Sequence, residues 1–175
     1  MTANFTANAH SMTRVDVSTG MPFDEFRRAF EKAAPPFDFE ATYRVIAQGG
    51  SWDDVRAAAA ANAPNGLMVY WTIDAMPLVG VAGHRTKAVE YLLGNHVIAE
   101  SMFRHNPRAL LYAPLRVLIA ADSDDNAVFS IDQPSTVFGG LGADAITAVG
   151  RDLDRKVAAL LRVTGVDADA AFGTG

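Results

Sequence analysis

The sequence predicts an α+β fold: two layers, a mainly antiparallel sheet of about five strands with helices on one face. Three observations carry that prediction. Apolar stripes at helical spacing lie near both ends of the chain, short alternating apolar runs lie between them, and two of those runs flank Ser123-Asp124-Asp125-Asn126, a hairpin turn. No internal repeat and no second domain is visible, and 175 residues suffice to bury one core.

Residues 1–11 are small and polar without periodicity and read as a disordered arm; one domain spans 12–166. Thr13 to Val17 alternates and suits a first strand. Gly20 and Pro22 then open a helix whose Phe23, Phe26 and Phe30 form a core stripe, with Asp24 and Glu25 in its first turn and Pro35-Pro36 at its end. Residues 37–48 suit a short helix or an irregular connection closed by Gly49-Gly50. Ser51 is placed to cap a helix through the alanines at 57–61, ending at Ala63-Pro64-Asn65-Gly66.

Leu67, Val69, Trp71 and Ile73 alternate with Met68, Tyr70 and Thr72, a strand apolar on both faces and therefore expected at the centre of its sheet. Ala75 to Gly83 reads as a flexible connection. Thr86 to Leu93 is the next strand, followed by a Gly94-Asn95 turn and a helix from His96 to His105. Leu115 to Ala121 and Ala127 to Asp132 make the hairpin, and Gln133-Pro134-Ser135 leads into Gly139-Gly140-Leu141-Gly142, read as a hinge. Ile146, Val149, Leu153, Val157, Leu160 and Leu161 form the stripe of the last helix, capped by Gly165, and residues 167–175 read as a flexible tail.

Composition excludes several functions. A formal charge of −5, with no basic run, leaves nothing to neutralise phosphates, so no nucleic-acid partner is expected. With no cysteine there is no disulfide, thiolate nucleophile or thiolate metal site. The N-terminus lacks the pattern of a secretory signal, and Pro114 and Arg116 interrupt the best apolar run, so a cytoplasmic protein without membrane partners is expected.

The stretch Tyr91–Ala121 holds the unusual polar residues. Asn95 reads as the cap of the helix it precedes; the other reading is an anion site at that helix N-terminus, with Gly94 allowing close approach. His96 and Glu100 stand at i and i+4, either half of a divalent-metal site completed by His84, a base with its orienting carboxylate, or a surface pair. His105 points away from His96 on a straight helix and suits a helix end or an axial haem ligand. Arg116 interrupts an apolar strand and needs either water or a partner such as Glu90 or Asp132. No nucleophile elbow, P-loop, dinucleotide fingerprint or zincin motif is present.

Leu93-Gly94-Asn95, Met102, Asn106-Pro107, Ala113-Pro114-Leu115-Arg116-Val117 and Asp132-Gln133-Pro134 together resemble the domain-of-unknown-function 302 family. The strand and helix over Val15–Phe30 look like that family's start, and residues 35–65 look like an insertion. The resemblance implies a fold like that of the TATA-binding-protein class and a homodimer, and implies no reaction. One departure stands out, His96 where the family's pattern places proline.

Three functional readings follow. The first is a small-ligand or cofactor-binding module at Gly94, Asn95, His96 and Glu100 with Arg116. The second is an enzyme using His96 as general acid or base, its pKa set by Glu100 or Glu90. The third is a homo-oligomer built on exposed aromatics such as Trp52, Trp71 and Tyr112.

Overall fold

Alternating burial builds the sheet. In β1 (Arg14–Pro22) Val15 and Val17 are buried while Arg14 and Asp16 face water, and the same alternation runs through β3 (Ala88–Gly94), β4 (Leu115–Ala121) and β5 (Asn126–Asp132). With β2 (Met68–Asp74) these strands form one sheet in the order β1-β5-β4-β3-β2, antiparallel at every pairing. The structure, a computed structural model, describes residues 2–173.

The helices cover one face. Phe23, Phe26 and Phe30 of α1 (Phe23–Ala33) are fully buried, and Phe30 packs edge-on against Tyr91 of β3 and beside Phe129 of β5. α7 (Asp144–Val163) lays Ile146, Leu153, Val157, Leu160 and Leu161 on the same core. Opposite them the sheet is open: Glu90, Arg116, Leu118 and Ser130 share the uncovered face with Trp71 and Ile73.

Residues 35–65 wrap the outer side of β2. α2 (Phe39–Ala47) starts at Asp38, whose side chain accepts from the Ala41 amide, and α3 (Trp52–Asn62) carries a reciprocal Ser51–Asp54 capping box. The chain before α2 hydrogen-bonds to the strand through Phe37 N–H to Val69 O (2.8 Å) and Val69 N–H to Pro35 O (2.9 Å).

Several expectations are corrected. β2 is an edge strand, not a central one. Its register slips between Val69 and Trp71, so Met68 and Val69 are both buried while Trp71 is 61% and Ile73 47% exposed. Apolar residues on both faces here reflect that bulge and the cover from residues 35–37. The connection at 75–83 folds into α4 (Met76–Val79) and a 3₁₀ turn (Gly80–Ala82), and the stretch after Gln133 opens with α6 (Pro134–Gly139). The expected tail is packed: α8 (Asp169–Phe172) buries Phe172 to 3% exposure, beside Val166 and Ala168. The ends of the arm and of the tail, residues 1 and 174–175, lie outside the described residues. Tyr112 is half-buried against Phe138 and His10, not an exposed aromatic. Among the described residues no helix is long and apolar enough to cross a membrane.

Candidate functional site

The β3-to-α5 turn is set by local chemistry. Gly94 ends β3 beneath the Ala113-Pro114 segment, where a Cβ would stand 3.4 Å from Pro114 Cα and Cβ, at ordinary contact distance. Asn95 then caps α5 (His96–Phe103): Oδ1 accepts from Val97 N–H (2.9 Å) and Nδ2 donates to Gly66 O (3.0 Å). The cap reading of Asn95 is the one realised.

His96 occupies the first helical position, where proline is preferred because its missing N–H would have no partner. Here the N–H is used. It donates to the Tyr70 hydroxyl at 2.9 Å, and the same hydroxyl lies 2.8 Å from His96 Nδ1. Tyr70 falls in the β2 bulge, which takes its side chain out of strict sheet register beside the turn. Nδ1 is the one acceptor that the structure sets against the phenolic proton; with that proton donated to Nδ1, the neutral ring carries its own on Nε2.

Nε2 is buried and has no hydrogen-bond partner, the one such side-chain atom among the described residues. Burial lowers the His96 pKa and so keeps the ring neutral. Burial also pushes the Tyr70 hydroxyl up to about 12, against the His96 amide, which favours the phenolate. Phe37, delivered by the segment beside β2, packs on this pair, its ring centroid 4.7 Å from Tyr70 and 5.3 Å from His96.

Beside the pair lies a cavity of about 200 Å³ lined by Gly94, His96, Met102, Pro114 and Phe138 among others. Its other polar side chains are those of Tyr70 and Asn95, and no Lys, Arg, Asp or Glu lines it. Engineered apolar cavities of about 150 Å³ take up benzene, so the space suits a ring-sized molecule and falls far short of a porphyrin.

The expected site residues divide. Gly94, Asn95 and His96 line the cavity; Glu100 and Arg116 do not. Glu100 pairs with Arg104 one turn on, through Arg104 Nε at 3.2 Å, instead of orienting the imidazole. Arg116 reaches Glu90 at 3.0 Å on the open sheet face. With both carboxylates held elsewhere, the pKa-setting partners expected for an enzyme are absent from His96. Two of the amides that an anion would use at the turn, those of His96 and Val97, are already bonded within the chain. His84 and His105 are exposed and outside the cavity, and no three His, Cys, Asp or Glu side chains among the described residues could hold a metal ion.

Sequence reasoning missed Tyr70, Phe37 and Phe138. The one signal for Tyr70 was a hydroxyl in an otherwise apolar strand.

The family model described as Domain of unknown function DUF302 matches residues 44–163, from within α2 to the end of α7. No curated protein matches the chain. The crystal structure of an uncharacterized conserved DUF302 protein from Bacillus stearothermophilus is similar, with a TM-score of 0.59 at 17% identity, covering 87% of this chain and 97% of that one. At that identity the likeness bears on fold alone.

Proposed function

Starting from the fact that the chain belongs to the DUF302 family, which brings a fold and no reaction, we propose that it is a small-ligand-binding module whose ligand occupies the cavity at the β3–α5 turn. One observation carries this reading. An apolar cavity of about 200 Å³ has in its wall an imidazole with a buried, unpartnered nitrogen, an arrangement that costs about 1–3 kcal/mol when left unsatisfied. Such a cost is tolerated where a bound molecule relieves it.

Xenon and benzene test the cavity without assuming a ligand. Saturable NMR shifts at the Met102 methyl are expected in the wild type, and none in Ala99→Leu, which fills the space from α5. No shift in the wild type overturns the reading.

A second reading concerns assembly. We infer that the open sheet face is where a second copy docks. It is supported by Trp71, Ile73, Leu92 and Leu118 standing together on a face that no helix among the described residues covers, with the Arg116–Glu90 pair among them. Sedimentation at several concentrations should give a dimer that Trp71→Arg dissociates. A wild-type monomer throughout rules the interface out.

A further inference from the structure

The hydrogen-bonding inventory of the cavity wall points to the chemistry of what enters it. Three of the cavity's lining side chains are polar, and all but one of their polar atoms are engaged: Asn95 by Val97 and Gly66, Tyr70 by the His96 amide and Nδ1. The one buried polar atom among them left with no partner is Nε2 of His96. Resting on the binding-site reading above, we infer that the ligand class is a small neutral molecule with one acceptor oxygen on an apolar body: a short or aromatic ketone or ester.

Each alternative class meets a physical obstacle. A carboxylate or phosphate would accept from Nε2–H, but no Lys or Arg lines the cavity to offset its loss of water. An ammonium group would set donor against donor, with no carboxylate in the wall. A pure hydrocarbon fits the walls and leaves Nε2–H unpaired. An alcohol accepts from Nε2–H but brings a hydroxyl proton that meets only acceptor atoms already holding a partner among these side chains. A ketone oxygen satisfies the one open donor and adds no new demand.

The half-buried Phe37 ring packs on the imidazole, its centroid 5.3 Å from that of His96. The walls contributed by Met102, Pro114 and Phe138 take the apolar body. The preference is a property of His96 at this position, since proline would supply neither the amide for Tyr70 nor the ring.

The test compares four probes of similar size with the full chain at pH 8, where His96 is neutral: acetophenone, isopropylbenzene, benzoate and benzylamine. Binding is followed by NMR titration. Acetophenone should bind up to about tenfold tighter than isopropylbenzene, the worth of one net hydrogen bond, with benzoate and benzylamine not detectably bound. In His96→Phe the two neutral probes should become equal, both still binding. Equal affinities in the wild type, or benzoate matching acetophenone, overturns the ligand class and leaves the cavity reading standing. Failure of all four probes overturns both. The wild-type ratios decide the matter whether or not His96→Phe folds.

Discussion

His96 depends on one hydroxyl for two hydrogen bonds, which makes Tyr70 the sharpest place to probe the site. Tyr70→Phe keeps the ring packed against Phe37 but leaves the His96 N–H and Nδ1 without their partner. Two groups losing one shared partner should cost about 1–3 kcal/mol in urea unfolding. A change within a few tenths of a kcal/mol would mean that water replaces the hydroxyl. The imidazole itself predicts a pH dependence. Its unfolded pKa is about 6.5, and burial lowers the folded value, so between the two the unfolded chain binds more protons. His96 therefore contributes stability that is complete above about pH 6.5 and lost as the pH falls toward the folded pKa. The urea midpoint of the wild type should drop on acidification from pH 8 to 5 more steeply than that of His96→Phe, and the NMR titration of the His96 ring should centre below 6.5. A midpoint at or above 6.5 contradicts the buried neutral ring.

At the scale of elements, α6 holds Phe138 in the cavity wall and is itself held by α7. Gly150 of α7 permits the contact, because a Cβ there would stand 2.9 Å from Ser135 Cα and 3.1 Å from Pro134 O, both backbone atoms. Asp154, only 4% exposed, receives the Ser135 N–H at 3.0 Å and Gln133 Nε2 at 3.2 Å, fastening the start of α6. Gly150→Ala should therefore cost about 1–3 kcal/mol by overpacking, and it should shift the Phe138 ring resonances more than those of Phe30. A neutral effect would mean that α6 slides freely on α7. Much at this scale was legible in the sequence, since caps and stripes are local: Asn95, Ser51, the α1 phenylalanines and the α7 stripe all work within a few residues. What was not legible needs partners far along the chain. Tyr70 meets His96 only because a bulge displaces β2, and no pattern of apolar residues encodes a bulge. Glu100 had two neighbours at i±4, and Arg104 outcompeted His96 for it. Phe172 looked like part of a tail because the core it enters is made by α7 and β1.

For the molecule as a whole, the same sheet presents one face to the helices and one to water, and two substitutions separate them. Phe30 is fully buried between Tyr91, Phe129 and Phe26, so Phe30→Ala removes a ring from the centre of the core. It should cost about 3–5 kcal/mol, the same at every protein concentration. Trp71→Ala on the open face should cost within about 0.5 kcal/mol in the monomer, as surface changes do. If a second copy covers that face, the Trp71 effect must grow with concentration, because a dimer adds stability by mass action. Thermal melts of both variants across a hundredfold concentration range therefore report on architecture and assembly together. A concentration-independent loss of several kcal/mol from Trp71→Ala would contradict an open face, since only burial within one chain produces it.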